Sequence, residues 1–296
     1  MKKQTYIVFV ILLLFLNACE DIVEVNLGDE TVNLYAVEAK INTRGNPFVY
    51  LFTSQHVNLD APYTGVSNAV VTISDNSEPP KSIQLVESAE TPGLYIPGKN
   101  EIYTGEINKE YTVTISTESK VLTANDILLR VEPIDSIQVH SSLRGDHRFL
   151  GVYTYGNETP GLGNYYKWDI YINNKLLNDA EYLFVAKDEL VDGNYVNGLE
   201  IFTDFHDPDD PSERLINLGD AIQVEQTSVS EFAYNYYYQM YNQSQTGGMF
   251  SVPAANIESN FTASDGSTVL GLFTAQDVSP SNVVIVDETI ESQLKD

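Results

Sequence analysis

"NLYAVEAKI", residues 33–41, decides how this chain folds. Tyr35, Val37, Ala39 and Ile41 fall on one side of an extended backbone, and Leu34, Ala36 and Glu38 on the other. Successive side chains of a strand point to opposite faces. The period of two therefore predicts a strand whose first set faces a core. Outward from it, "RGNP" at 44–47 is a turn signal and "FVYLFTS" at 48–54 the next strand. "NAVVTISDN" sets Val71 and Ile73 against Val70, Thr72 and Ser74, and "EYTVTIST" puts Tyr111, Val113 and Ile115 on one face. With "SIQLVES" and "TPGLYIPGKN" this makes roughly seven short strands in roughly 90 residues, the spacing of an immunoglobulin-like sandwich. No Cys–Trp–Cys signature accompanies it, so only the architecture is expected.

Register changes at "VEPIDSIQVHS", residues 131–141, where Pro133 ends one segment and Ile134, Ile137 and Val139 begin another. The expected division is a β-sandwich domain over 33–128 and a second β-rich domain over 129–296. In the second, "NYYKWDIYI" at 164–172 alternates Tyr166, Trp168, Ile170 and Ile172 against Tyr165, Lys167, Asp169 and Tyr171. "YLFVAK", "LEIFTDF", "AIQVEQTS", "STVLGLFTAQDV" and "NVVIV" read as further strands. One amphipathic helix is expected near 229–243. Ser228 and Glu231 form a capping box there. Val229, Phe232, Ala233, Tyr236, Tyr237, Met240 and Tyr241 recur at helical spacing as its core stripe, and Gly247-Gly248 ends it. Tyr234 and Tyr238 lie off that stripe and are the candidate partner-binding residues.

The chain carries 16 basic and 42 acidic residues, a net charge of −26. Nucleic acid is excluded as a partner, because binding it requires Lys and Arg to neutralise phosphates. Nineteen tyrosines and twelve phenylalanines supply both sheet cores and contact surfaces.

The N-terminus reads as an address. Met1-Lys2-Lys3 is followed by the apolar run "YIVFVILLLFL", too short for the roughly 20 residues of a membrane span. Leu16-Asn17-Ala18-Cys19 resembles the bacterial lipobox, which implies cleavage after residue 18 and a diacylglycerol on Cys19. This is the only cysteine, so it has no disulfide partner within the chain. Residues 19–32 read as an acidic tether, and Glu20-Asp21 resembles the surface-export signal of Bacteroidota lipoproteins. The expected location is the outer membrane, lipid-anchored and facing the cell exterior.

Four histidines, His56, His140, His147 and His206, show no zinc spacing, and no nucleophile elbow or phosphate loop occurs. No cofactor and no catalytic activity are expected. The one dense polar cluster is "TDFHDPDDPSE", residues 203–213. Asp204, His206, Asp207, Asp209, Asp210 and Glu213 are candidate oxygen and nitrogen ligands for a metal. Without an EF-hand pattern, a solvated loop is the preferred reading. Asp135-Ser136-Ile137 resembles an O-glycosylation sequon but also begins a strand.

Together, "VEAKINTRGNPFVYLFTS", "NAVVTISDN", "PGLYIP", "GEINKEYTVTIST", "NYYKWDIYIN", "VSEFAYNYY" and "FSVPAANIESNFTASDGSTVLGLFTAQDV" resemble, in that order, a Bacteroidota lipoprotein family catalogued as domain of unknown function 4249. The resemblance implies a lipoprotein that binds a nutrient for, or assists, a TonB-dependent outer-membrane transporter. Two alternatives stay open: an adhesive, glycan-binding surface module, and a metal-dependent hydrolase built on the acidic loop.

Overall fold

The protein is described by a computed structural model covering residues 34–54, 63–205, 214–244 and 257–295. Cys19, Glu20 and Asp21, with the leader and tether, lie outside the described residues, as does the Gly247-Gly248 helix end. The fold is mostly β. Eight strands come from the first part: β1 (Tyr35–Asn42), β2 (Phe48–Thr53), β3 (Thr64–Gly65), β4 (Val70–Asp75), β5 (Ser82–Glu87), β6 (Leu94–Ile96), β7 (Glu110–Ser116) and β8 (Val121–Ile127). Then follow β9 (Ser136–Arg144), β10 (His147–Asn157), β11 (Tyr165–Ile172), β12 (Lys175–Leu176), β13 (Phe184–Lys187), β14 (Tyr195–Thr203) and β15 (Ala221–Ser228). The chain closes with helix α1 (Glu231–Ser244), β16 (Thr262–Ala263), β17 (Val269–Gln276), β18 (Val278–Pro280), β19 (Val284–Ile285) and helix α2 (Glu288–Ser292).

The first sheet runs β16-β8-β7-β4-β5-β6-β2-β1-β17, with β3 beside β2. It folds back on itself, because β5 pairs with β4 near its start and with β6 near its end. The two halves enclose Val37, Ile41, Val71, Ile73, Tyr111, Val113 and Ile115, the inward residues that the alternation predicts, together with Leu51 of β2. Two edge strands, β16 and β17, come from the C-terminal part of the chain, beyond the 128/129 boundary. β17 runs parallel to β1, its Gly271 opposite Val37. A Cβ at Gly271 would overlap the Val37 carbonyl oxygen, and its φ of +101° is open only to glycine. Phe273 from this strand is fully buried in the first core. Side chains stitch the seam between β17 and β8. The Asp126 carboxylate accepts the Ala275 N–H at 2.9 Å, and Asn260 takes the Phe273 N–H at 3.0 Å and donates to its carbonyl at 2.8 Å.

The second sandwich packs a three-stranded sheet, β14-β10-β9, on a sheet built from β12, β11, β15 and β18, with β13 on β11 and β19 on β15. Tyr166, Trp168 and Ile170 point into its core, as expected. The far side of β11 is not bare. Helix α1 packs there, and its Ala233, with Val229 just before the helix, packs against Leu272 of β17. The helix thus joins the two sandwiches, and residues 33–296 form one compact unit.

The capping box at Ser228 is corrected. The helix starts at Glu231, and Ser230 caps it, its hydroxyl accepting the Ala233 N–H at 3.3 Å. Ser228 ends β15, where its hydroxyl donates to the Leu129 carbonyl at 2.5 Å and accepts from Asp277 N–H at 3.1 Å. Its neighbour Asp277 ties the crossing together, accepting from Thr43 at 2.8 Å and from Val131 N–H at 3.0 Å. A serine buried at a strand crossing serves the backbone there, so the helix takes the next one along. Of the expected stripe, Phe232 and Tyr241 are exposed, because the sheet meets only the Ala233 side of the helix.

Candidate functional site

The parallel pairing of β1 with β17 sets Glu38 beside Leu272, Lys40 beside Thr274 and Asn42 beside Gln276, on the outward face of the first sheet. Helix α1 covers the Leu272 end. The rest is the floor of a cleft of about 520 Å³, within the size range of small-molecule sites. Phe52 and Tyr63 line one side, their ring centroids 4.9 Å apart. Tyr236, Tyr237 and Met240 of the helix, and Tyr182 of the second sandwich, line the others. The cleft is therefore shared between both halves of the molecule.

Its polar groups divide into two kinds. Lys167 and Asp169 on β11 pair with each other, and the Lys167 ammonium stands 5.5 Å from the Tyr237 ring centroid. Burial pushes the Tyr237 phenol well above its ordinary value, with the Asp169 charge adding to it, and burial likewise raises Tyr236. Both phenols stay neutral donors at physiological pH. Glu38, Lys40 and Gln276 differ: among the described residues their side chains make no hydrogen bond or ion pair. Lys40 only rests its ammonium 5.5 Å from the Phe48 ring centroid.

A second constellation lies where the loops around 158–164 and 188–194 meet. Glu158, Asp188 and Asp192 bring carboxylate oxygens within 4.8 Å of one another. Glu158 accepts from the Tyr166 hydroxyl at 2.7 Å and from Gly193 N–H at 2.8 Å. Asp188 accepts from Gly163 N–H at 3.2 Å, from Asn164 N–H at 3.0 Å and from the Asn164 amide at 3.1 Å. Asp192 accepts the Gly161 N–H at 2.6 Å. Burial, and then the Glu158 partner, drives the Tyr166 phenol far up. The donor set is a hard-oxygen one, of the kind that takes calcium. As it stands, the loop N–H groups already occupy these carboxylates. The effect is to brace two loops whose tips hold Leu162 and Leu190 out in solvent, 70% and 96% exposed. No sequence motif marks the trio, because Glu158 lies 30 residues before Asp188 and further still before Asp192, and only folding brings the two stretches together.

The metal candidates of the acidic loop part company. His206, Asp207, Asp209 and Asp210 lie outside the described residues. Asp204 is fully buried, takes the Leu150 N–H at 2.8 Å and lies 3.5 Å from the Arg214 guanidinium. Arg214 in turn grips Glu291 of α2 at 2.8 and 3.0 Å. Burial raises the Asp204 carboxyl while Arg214 opposes it. Asp204 anchors the end of β14 against β10 and α2. Tyr238 is exposed on α1, whereas Tyr234 is half-buried, its ring centroid 5.2 Å from that of Tyr165 and 6.0 Å from that of Tyr238.

The order of strands, the shared helix and the returning β17 reproduce the order of segments along the chain on which the family resemblance rests. A family model, described as Domain of unknown function (DUF4249), matches residues 20–281. The chain belongs to this family. No curated protein matches it. The DUF4249 match spans the first sandwich, the second except β19, and every strand that floors the cleft, and it ends at Ser281, before β19 and α2.

Proposed function

We propose that this DUF4249 protein is a lipoprotein, anchored in the outer membrane through Cys19 and facing outward, that binds a ligand for, or assists, a TonB-dependent transporter in nutrient uptake. It acts as a binder rather than an enzyme. The observation that carries this is the aromatic-walled cleft shared by the two sandwiches, whose floor keeps polar side chains without protein partners. Glu38 is exposed and Lys40 half-buried there, so both can meet a ligand in the cleft without the cost of burying an unpaired charge. The transporter half of the reading is supported by α1. In a chain of net charge −26 the helix carries one charged residue, Glu231, and exposes Phe232, Tyr238 and Tyr241. Interface cores are depleted of charge and rich in aromatics.

The test is purification of the full-length lipoprotein from outer membranes in mild detergent after in-cell cross-linking. A TonB-dependent transporter should co-purify, and Cys19→Ala should abolish the membrane association. Recovery of the wild type without a transporter under every cross-linker used would remove that reading. The adhesive alternative draws on one observation, the aromatic row Tyr50, Phe52 and Tyr63 with centroids 5.1 and 4.9 Å apart, which would suit stacking on sugar rings. Retention on a glycan array would favour it.

A further inference from the structure

A second cavity opens inside the second sandwich, on the side of β11 that faces away from the cleft. Its volume is about 230 Å³, and Tyr166, Trp168, Ala186, Val196 and Leu199 wall it. Leu190, 96% exposed, stands at its mouth. Two carboxylates line this largely apolar space, Glu158 and Asp188, only 6% and 2% exposed. Buried charges are normally paired or hold a metal. Yet no Lys or Arg among the described residues makes an ion pair with either. Lys187 also lines the cavity, but its ammonium pairs with Glu189 at 2.6 Å. Thr154 is an independent sign. It continues the inward row Leu150 and Val152 of β10, where apolar side chains stand. It is 4% exposed and lines the same cavity, and among the described residues its hydroxyl makes no hydrogen bond. That hydroxyl is not sealed in protein, unlike Asp204 Oδ2 and Arg214 Nε, so the surface it keeps belongs to the cavity. A polar group set without a partner in an apolar row, beside two buried charges without counter-charges, points to a cationic ligand.

We propose that this cavity binds a small organic ammonium, a primary amine on a compact apolar or aromatic body. It is separate from the cleft and does not rest on that site. A carboxylate offers about four lone-pair sites. Glu158 uses three, for the Tyr166 hydroxyl, the Asn164 amide and Gly193 N–H. Asp188 uses three, for Gly163 N–H and the two N–H groups of Asn164. Each therefore keeps one site open while its loop donors hold it in place. The two carboxylates bring oxygens within 4.8 Å of each other. A charge-assisted N–H···O bond is about 2.8 Å long, so one ammonium nitrogen reaches both. Tyr166 and Trp168, ring centroids 5.9 Å apart, form an aromatic corner that attracts a cation and its apolar body alike. Thr154 offers a further acceptor from the facing sheet. The volume falls below the roughly 300–1,000 Å³ of drug-sized ligand sites, so the body is small. A bare calcium ion fits less well: it needs about six to eight oxygens, which the loop N–H groups partly occupy, and it leaves the apolar walls unused.

The experiment titrates the detergent-solubilised full chain with phenethylamine, followed by calorimetry and by the fluorescence of Trp168, the single tryptophan, which lies in the wall. Phenethyl alcohol, the same body without the charge, and calcium chloride are the other arms. The amine should bind and perturb the fluorescence, and the alcohol should bind at least tenfold more weakly. Glu158→Gln should weaken the amine at least tenfold and leave the alcohol unchanged. Val196→Phe fills the cavity and should abolish amine binding in a protein that melts as the wild type does; it decides the matter alone if Glu158→Gln fails to fold. Asp192→Asn should change amine binding less than threefold, because Asp192 does not line the cavity. No amine binding, equal binding of amine and alcohol, or amine binding that survives Val196→Phe overturns the proposal. So does calcium binding that Asp192→Asn abolishes, in a protein that ignores the amine; the trio is then a metal site.

Discussion

The two sandwiches are held together by different physics. The first encloses a continuous apolar core from Val37 to Ala275, and its two buried carboxylates stand apart, Asp75 at the end of β4 and Asp126 at the seam with β17. The second has an apolar core too, but it buries Glu158, Asp188 and Asp204 within its loops and strand ends. Apolar burial is non-directional and tolerates smooth, repetitive strands. Buried carboxylates demand particular donors in particular places. The first half therefore follows a simple alternating pattern, and the second needs long irregular connections to bring its donors home. The helix and cleft lie where these two kinds of structure meet.

The largest expected effect tests whether β17 belongs to the first half. Phe273→Ala should destabilise the protein by about 3–5 kcal/mol, the usual cost of emptying a buried aromatic site. Gly271→Ala should act in the same direction, since its Cβ meets the Val37 backbone. A fragment of residues 33–128 lacks both edge strands, β16 and β17, and should not give a cooperative urea transition. A stable, cooperative fragment would restore the simple division at 128.

Next is the polar brace of the second half. Asp188→Ala removes a carboxylate that is itself 2% exposed and leaves the Gly163 and Asn164 N–H groups without it. Gly163 is exposed and Asn164 half-buried, so water can partly replace the carboxylate, and a loss of about 1–2 kcal/mol is expected, at the low end of the cost of unsatisfied groups. Trp168, the single tryptophan, lies in the second core, so its fluorescence reports this half directly. A change below about 1 kcal/mol would show that these loops do not hold the second half together.

A third measurement concerns the seam of the first sandwich. Burial pushes the Asp126 carboxyl up to about 6, against the pull of the Ala275 N–H and the Ser230 hydroxyl. The folded protein keeps this proton up to about pH 6, whereas the unfolded chain releases it near 3.8. Between those values the native state binds more protons, so stability falls as pH rises and then levels off. The amplitude is at most about 3 kcal/mol, at about 1.4 kcal/mol per unit. Asp126→Asn should flatten this segment of the pH profile; an unchanged slope would assign it to other carboxylates.

The same contrast explains what the amino-acid sequence made legible. The alternation in residues 33–41, 70–75, 110–116 and 164–172 has a period of two and a local cause, so inward and outward residues could be read directly. Membership of β17 in the first sheet could not, because "STVLGLFTAQDV" alternates no differently for one sheet than for another. The only local hint was Gly271, whose need for close approach is visible once Val37 is beside it. The helix was legible from its spacing, but its cap was displaced by two residues because Ser228 and Ser230 are chemically equivalent and only the crossing at Leu129 and Asp277 distinguishes them. Tyr234 and Tyr238 were picked out by helical phase, which places residues around an axis but does not reveal how wide a neighbour lies alongside. The cleft was not legible at all. Glu38 and Lys40 lie on the outward side of the opening strand, and nothing local announces that Gln276 will lie next to them.

The smallest expected effect on stability, and the sharpest on partnership, comes from the two tyrosines of α1. Tyr234 stacks toward Tyr165 of β11, so Tyr234→Ala removes a contact between helix and sheet. It should cost about 1 kcal/mol or more, in line with aromatic pairs worth about 0.5–1.5 kcal/mol beyond their burial. Tyr238 is 49% exposed and touches the fold mainly through Tyr234. Tyr238→Ala should stay within about 0.5 kcal/mol, as surface changes do. If this face docks a transporter, truncating an exposed aromatic at its centre should lower co-purification strongly, because aromatic anchors carry most interface energy. Tyr238→Ala therefore separates docking from folding, and Tyr234→Ala supplies the folding control. Undiminished recovery of the transporter with Tyr238→Ala, in a protein melting as the wild type does, would move the docking face away from this helix. The exposed Leu162 and Leu190 loop tips would then be the next surface to test.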